Sequence, residues 1–290
     1  MTQILTALTD VSDRYDALFC DLWGCLHNGI RPFPEAVAAL RAFREKGGLV
    51  VLLTNAPRPR HGVEDQITAM GVPRDCWDTI ATSGDSARLA MFRGVIGDKV
   101  YFIGEDRDLG FFEPIHLIEN CPEIQRVPLA EAEGIVCTGP FDAKADPDVM
   151  RPDFLFAKTR GLKLLCANPD IVVDRGDSRE WCAGALARLY TEMGGESLYF
   201  GKPHPPVYDL ARRRLAELGT DIPDSRILAV GDGILTDIKG ALGEDIDSLF
   251  VTGGLAAEET RTGHSPDAHA LSAYIQKEMI EPTYSIGKLR

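Results

Sequence analysis

Reactive side chains follow four apolar segments of the chain, at the points where the predicted strands end. In chain order they are Asp21, Thr54 with Asn55, Lys202, and Asp232 with Asp237. Ligands of an open parallel sheet bind beyond the carboxyl ends of its strands, so these ends are where chemistry is expected. Taken singly, each side chain could be a turn residue or a helix cap. Taken together they supply a nucleophile, a cation and hydrogen-bond donors.

This set has the parts that phosphoryl transfer needs: a nucleophile, a positive charge for the phosphate and donors to its oxygens. We expect Asp21 to attack phosphorus and form an aspartyl-phosphate. Lys202 would neutralise charge on both the phosphate and Asp21. Thr54 and Asn55 would donate hydrogen bonds to phosphate oxygens. Asp21 and Lys202 are thus the predicted catalytic residues, and Lys202, Thr54 and Asn55 the predicted phosphate-binding residues.

The carboxylates of the set predict a magnesium site. Mg²⁺ prefers carboxylate and carbonyl oxygens and keeps several of its waters. We expect Asp21 and Asp232 to bind the ion directly and Asp237 to hold it through a water molecule. Mg²⁺ is the one cofactor that the sequence predicts.

Strand and helix patterns alternate along the chain. A buried strand precedes Asp21, a helix begins near Pro34, and the continuous apolar run Leu49–Leu53 is typical of a strand buried in a parallel sheet. A second helix is predicted at about 60–70, and the segment from about 85 to 197 repeats the alternation on its own. This order predicts an α/β fold with right-handed crossovers.

The motifs resemble the haloacid dehalogenase-like (HAD) hydrolase superfamily, in particular its class IIA, nitrophenylphosphatase-like branch. The matching segments are Asp21-Leu22-Trp23-Gly24, Thr54-Asn55, Gly201-Lys202-Pro203, and Gly231-Asp232 through Thr236-Asp237. Their order, spacing and strand context fit over nearly the whole chain. The resemblance implies a Rossmann-like, doubly wound parallel sheet as the core, with an α/β cap domain inserted between the second and third motifs.

The resemblance also implies domain boundaries and one more metal ligand. The catalytic core would comprise residues 1–84 and 198–290, and the cap residues 85–197. The backbone carbonyl of Trp23 would bind Mg²⁺. The turn Asn168-Pro169-Asp170 resembles part of the class's cap. Asp170 is a candidate for contact with a polar substrate, but a solvated loop charge is the favoured interpretation.

Trp23 departs from the family pattern, because phosphatases of this superfamily usually have a second Asp at that position. That Asp protonates the leaving oxygen and later activates water, whereas Trp offers neither an acid proton nor a base. General acid–base catalysis supplies about 10²–10⁴-fold in rate. The first hypothesis is therefore a Mg²⁺-dependent phosphatase of a small phosphorylated metabolite, with an atypical or missing general acid. His27 is a candidate replacement acid, although a local hydrogen bond is the favoured interpretation.

Two alternatives remain open. A metal-independent haloacid dehalogenase would need no general acid, and that branch has an aromatic residue at the position of Trp23. The pair Asp232 and Asp237 argues against it, because such an enzyme needs no metal site. A non-catalytic protein that binds a phosphorylated ligand is the third hypothesis, and the retained Asp21 speaks mildly against it.

Composition limits the partners. The net charge of −13 and the absence of a basic cluster beyond residues 212–214 disfavour nucleic acid and anionic membranes as partners. Seven scattered cysteines without a CxxC pair indicate reduced thiols. With neither a signal peptide nor a long apolar run in the sequence, we expect a cytoplasmic protein. Cap-mediated dimers are common in the resembling class, which allows a homodimer.

Overall fold

A computed structural model describes residues 2–115, 118–175 and 178–290 of the chain. The chain forms two compact units. The first contains residues 1–54, 64–81 and 208–290, and the second contains residues 55–63 and 82–207. The predicted core and cap boundaries, at 84/85 and 197/198, stay a prediction.

The first unit is built on a seven-stranded sheet with the strand order β1-β14-β13-β12-β2-β3-β4. The strands are β1 (Gln3–Ile4), β2 (Ala17–Cys20), β3 (Leu49–Thr54), β4 (Thr79–Thr82), β12 (Ile227–Gly231), β13 (Asp247–Val251) and β14 (Tyr284–Ile286). The pairs β12–β2, β2–β3 and β12–β13 are parallel. Strands β2 and β12 are buried at every position, which explains their continuous apolar sequences.

Helices alternate with these strands. They are α1 (Pro34–Glu45), α2 (Arg60–Ala69), α6 (Pro205–Glu217), α7 (Lys239–Gly243) and α8 (Ala268–Glu278), of which α2 and α6 begin in the second unit. Pro34 occupies the first turn of α1, as predicted, and the helix buries Val37, Leu40 and Phe43. Between β12 and α7 the segment Ile234–Ile238 forms a π-helical turn. This turn runs directly into α7, which begins at Lys239.

The second unit has its own five-stranded parallel sheet, with the order β11-β8-β7-β5-β6. Its strands are β5 (Lys99–Ile103), β6 (Gln125–Arg126), β7 (Gly134–Cys137), β8 (Lys163–Cys166) and β11 (Glu196–Tyr199). Its helices are α3 (Ser83–Phe92), α4 (Arg151–Thr159) and α5 (Ala183–Glu192). Phe154 and Tyr190 lie in the core of this unit, with their ring centroids 5.1 Å apart.

An antiparallel hairpin in the second unit escaped the sequence analysis. It joins β9 (Val172–Arg175) to β10 (Ser178–Trp181), and Trp181 pairs with Val172. The helix α5 follows the hairpin and begins at Ala183. The alternation of parallel strands and helices confirms the predicted α/β class. Within the described residues, no helix is both long and apolar enough to cross a lipid bilayer.

Candidate active site

Two carboxylates meet at the carboxyl edge of the first unit's sheet. Asp21 directly follows β2 and Asp232 directly follows β12, and Val230 pairs with Cys20 across these neighbouring strands. The backbone N–H of Asp21 donates to the carbonyl of Val230 at 2.8 Å, which extends the pairing to the site. One ligand atom from each of Asp21, Asp232 and Cys25 lies within 4.8 Å of the others. Asp21 is 7% exposed and Asp232 is 6% exposed.

Such a pair fits a divalent cation. Like charges that lie close together in a buried site repel each other, and a cation offsets this repulsion. The oxygen donors are those that Mg²⁺ prefers. The donor chemistry of Asp21 and Asp232 is therefore compatible with the predicted metal.

Two glycines from different loops fix the position of the Asp232 carboxylate. The backbone N–H of Leu255 donates to Asp232 Oδ2 at 3.0 Å. A Cβ atom on either Gly24 or Gly254 would lie 2.0 Å from that same oxygen. Gly24 also has a φ of +74°, a conformation that favours glycine. Both positions therefore require glycine if Asp232 is to stay where it is.

Asp237 lies in the turn that follows Asp232. Its Oδ2 accepts hydrogen bonds from the backbone N–H of Gly233 at 3.2 Å and from the hydroxyl of Thr236 at 3.3 Å. The side chain is buried but does not belong to the cluster of Asp21, Cys25 and Asp232 found among the described residues. Its predicted role, which is to hold Mg²⁺ through a water molecule, stays a prediction.

Cys25 was missed by the sequence analysis, although it lies only four residues after Asp21. It is 1% exposed. Burial, and then the charges of Asp232 and Asp21, raise the pKa of its thiol well above the ordinary value. Sulfur is a soft ligand and Mg²⁺ is a hard cation, so the carboxylates and not the thiol suit this metal.

Trp23 is half-buried and packs within its own loop. Its ring meets the ring of His27 edge-on, with the centroids 5.3 Å apart. A Cβ atom on Gly29 would lie 2.2 Å from Trp23 Cη2, so the indole covers the backbone of Gly29 closely. The position where phosphatases of the resembling family carry an acid is thus occupied by a packed aromatic ring.

His27 makes a local hydrogen bond, which is the interpretation that the sequence favoured. Its Nδ1 accepts a hydrogen bond from the backbone N–H of Gly29 at 3.0 Å, so the proton of the neutral ring lies on Nε2. Burial lowers the pKa of His27 to about 4. The ideal catalytic pKa lies near the working pH, so a ring that is neutral at pH 7 is a poor general acid.

The second unit brings Asn55 and Lys202 together. The Asn55 Nδ2 donates to the carbonyl of Lys202 at 3.1 Å, and its Oδ1 accepts from the Lys202 backbone N–H at 2.7 Å. The same Nδ2 donates to Asp170 Oδ1 at 2.8 Å. Both N–H groups of the amide are therefore used within the protein. The predicted donation from this amide to phosphate would require one of these bonds to open.

Asp170 corrects an expectation from the sequence. It is half-buried and accepts from Asn55, so it is not the solvated loop charge that the sequence suggested. One feature of the sequence could have indicated this contact. The polar turn Asn168-Pro169-Asp170 comes just after β8, and the other predicted site residues also come just after strands. A local sequence pattern does not determine whether such a turn faces solvent or protein.

The glycine before Lys202 is required by close packing. A Cβ atom on Gly201 would lie 2.5 Å from Asn55 Oδ1, 2.6 Å from Ser83 Oγ and 2.7 Å from Pro169 Cδ. Lys202 itself is only 3% exposed. Thr54, the last residue of β3, is also buried and directly precedes Asn55 in the chain.

The predicted residues are thus found in two groups. Asp21 and Asp232 come together in the first unit, with Asp237 in the turn that follows Asp232. Asn55 and Lys202 are bonded to each other in the second unit. Their roles in binding and catalysis stay predictions.

Two family models match the chain. One, described as a haloacid dehalogenase-like hydrolase, matches residues 18–116, and one described as HAD-hydrolase-like matches residues 199–274. These ranges contain all of the predicted site residues. None of the curated proteins matches the chain.

Several solved structures share the fold over almost the whole chain. A hydrolase of the haloacid dehalogenase-like family from Brucella suis is 38% identical, covers 98% of this chain and 99% of its own, and superposes with a TM-score of 0.84. A possible sugar phosphatase of the HAD superfamily from Cytophaga hutchinsonii is 19% identical, with coverages of 99% and 98% and a TM-score of 0.77. A p-nitrophenyl phosphatase from Archaeoglobus fulgidus is 20% identical, with coverages of 94% and 96% and a TM-score of 0.71.

The Cytophaga hutchinsonii and Archaeoglobus fulgidus structures demonstrate a shared fold, and the Brucella suis structure demonstrates homology. Together with the two family models, the Brucella suis structure confirms the resemblance that the four motifs predicted. The chain belongs to the haloacid dehalogenase-like family of hydrolases.

Proposed function

We propose that this hydrolase is a Mg²⁺-dependent phosphatase that cleaves a small phosphorylated metabolite through an aspartyl-phosphate on Asp21. The observation that carries the proposal is the pair of buried carboxylates, Asp21 and Asp232, which end adjacent parallel strands with ligand atoms within 4.8 Å. A metal-independent haloacid dehalogenase needs no second carboxylate as a metal ligand. The pair therefore favours phosphate chemistry over halide displacement.

Structural neighbours support the substrate class. The Cytophaga hutchinsonii protein is described as a possible sugar phosphatase and the Archaeoglobus fulgidus protein as a p-nitrophenyl phosphatase. Both descriptions name small phosphate esters. We infer a substrate of the same chemical class for this chain.

Mg²⁺ would be held by Asp21, Asp232 and the backbone carbonyl of Trp23, and by Asp237 through a water molecule. When bound, the ion would supply positive charge that offsets the negative charge of phosphate and of the carboxylates.

The cytoplasm is the compartment we propose, because all seven cysteines are free thiols. A homodimer, which the class allows, would be detected by analytical ultracentrifugation.

Two displacements at phosphorus make up the proposed reaction. An oxygen of the Asp21 carboxylate forms a bond to phosphorus as the bond to the ester oxygen breaks, and the leaving group departs with that electron pair. Water then attacks the aspartyl-phosphate, which releases inorganic phosphate and restores Asp21. Lys202 would neutralise the phosphate charge in both steps. Thr54 and the loop at Asn55 would bind phosphate oxygens.

Trp23 determines which esters react well. The indole has no proton to give to the departing oxygen, so the leaving group must depart as an anion or take a proton from solvent. Aryl and acyl phosphates, whose leaving groups are weak bases, should therefore react much faster than alkyl phosphates. Equal rates on both classes would contradict this part of the proposal.

The test is a phosphatase screen with and without Mg²⁺ on the wild type, Asp21→Asn and Trp23→Asp. We expect Mg²⁺-dependent aryl phosphatase activity in the wild type and none in Asp21→Asn. Trp23→Asp should gain alkyl phosphatase activity. Activity without Mg²⁺, or halide release from 2-chloro acids without metal, would overturn the assignment. Tight binding of phosphate without any turnover would instead identify a binding protein.

A further inference from the structure

The turn Asn168-Pro169-Asp170 is held rigidly at the start of α5. The backbone N–H of Asp170 donates to Asn168 Oδ1 at 3.0 Å, and its carbonyl accepts from the N–H of Gly184 at 3.1 Å. A Cβ atom on Gly184 would lie 2.1 Å from the carbonyl oxygen of Pro169 and 2.5 Å from that of Asp170. The turn and the helix are thus in close backbone contact, so the position of Asp170 is well determined.

From this turn, the Asp170 side chain reaches Asn55. A carboxylate only accepts hydrogen bonds, so it dictates which end of the Asn55 amide faces it. With Nδ2 held at 2.8 Å from Asp170 Oδ1, the amide oxygen is left to accept from the Lys202 N–H at 2.7 Å. Nδ2 also reaches the Lys202 carbonyl at 3.1 Å. The amide thereby binds both backbone groups of Lys202.

We propose that Asp170 is a positioning residue for Lys202, which it controls through Asn55. Without the carboxylate, the amide loses its anchor outside Lys202 and is held only by the Lys202 backbone itself, so its hold on that backbone weakens. The proposal rests on the proposed function, in which Lys202 neutralises the phosphate. A displacement of about 1 Å at such a group can lower the rate by about 10²-fold.

The test measures kcat and KM with p-nitrophenyl phosphate and Mg²⁺, and the dissociation constant of inorganic phosphate by calorimetry. Asp170→Ala should lower kcat/KM by about 10–100-fold and weaken phosphate binding. Asp170→Asn keeps an acceptor oxygen of the same reach and should recover most of the loss. Asp142→Ala is the matched control, because Asp142 is also an aspartate in a turn of the same unit, but its carboxylate accepts from the backbone N–H of Lys144 at 2.9 Å and is far along the chain from these residues.

A double-mutant cycle distinguishes an effect of Asp170 that passes through Asn55 from a general loss of structure. If Asp170 acts through Asn55, Asp170→Ala should have no further effect in an Asn55→Ala background. Additive losses, or an Asp170→Ala variant as active as the wild type, would overturn the proposal. Asp170→Asn as impaired as Asp170→Ala would also overturn it, because the carboxylate charge and not the acceptor would then matter. Asp170→Ser replaces Asp170→Ala if the latter does not fold.

Failure of the proposed function gives a different result. A wild type that hydrolyses no phosphate ester contradicts the phosphatase assignment. The positioning role of Asp170 is then decided by phosphate affinity alone, with the same variants and the same cycle. Unchanged affinity in Asp170→Ala would reject it.

Discussion

Substituting alanine for Gly24 should damage the metal site more than the fold. The new Cβ atom would lie 2.0 Å from Asp232 Oδ2, whereas ordinary contact begins at 3.4 Å, so the carboxylate must move by about 1.4 Å. It cannot move freely, because Gly254 approaches the same oxygen equally closely and Leu255 N–H is bonded to it. The clash therefore falls on the side chain proposed to bind Mg²⁺.

Two separate costs follow from the structure. The φ of +74° at Gly24 makes any side chain there unfavourable by about 1–2 kcal/mol. A shift of about 1.4 Å far exceeds the ±0.2 Å or so within which metal–ligand distances normally hold. Since even mutations of outer-shell partners typically weaken metal binding by about 10–100-fold, Gly24→Ala should weaken Mg²⁺ binding at least tenfold.

Calorimetric Mg²⁺ titration and urea unfolding measure the two costs, with two variants that separate them. Gly71 has a φ of +86° but no atom within 4 Å of a Cβ, so Gly71→Ala should lose stability and keep its Mg²⁺ affinity. Gly254→Ala brings the clash with Asp232 without positive φ, so it should lose Mg²⁺ affinity. Wild-type affinity in folded Gly24→Ala and Gly254→Ala would refute the claim that Asp232 binds the metal.

Three further predictions concern buried polar groups. Because burial lowers the pKa of His27 from 6.5 to about 4, the unfolded chain binds more protons in that window. The free energy of unfolding should therefore fall by about 3 kcal/mol as pH drops through it, and urea titrations of His27→Asn should lack this component. Arg88→Met would remove the cation that lies 2.8 Å from the buried Asp85 carboxylate, and the loss of this ion pair should cost about 3–5 kcal/mol in urea unfolding; less than 1 kcal/mol would contradict the pairing. Ser83 Oγ is buried without a hydrogen-bond partner among the described residues, so Ser83→Ala should raise the midpoint of thermal unfolding, and a lower midpoint would reveal an unseen partner.

The sequence predicted the fold well because its strands are buried on both faces. Runs such as Leu49–Leu53 are apolar at every position, and their glycine and proline boundaries mark the elements clearly. The hairpin of β9 and β10 was missed because its residues, including Asp174 and Arg179, are mixed polar and apolar. Such a pattern has no clear period of two, and its pairing depends on contacts that a local pattern does not contain.

The candidate site was predictable where it follows from topology. Asp21 and Asp232 were expected at one edge of the sheet, because both follow parallel strands, and they meet there because β2 and β12 are neighbours. The connection from Asp170 through Asn55 to Lys202 was not predictable. It depends on which way one side-chain amide faces, and this is set by residues 115 and 147 positions away from Asn55.

In the proposed reaction, the phosphoryl group passes through Asp21. The direct measurement is peptide mass spectrometry of protein quenched in acid during turnover of p-nitrophenyl phosphate with Mg²⁺. We expect a phosphoryl group on the peptide containing Asp21, absent in Asp21→Asn and absent without Mg²⁺. Rapid hydrolysis by wild-type protein with no phosphate on Asp21, or with undiminished hydrolysis by Asp21→Asn, would contradict it.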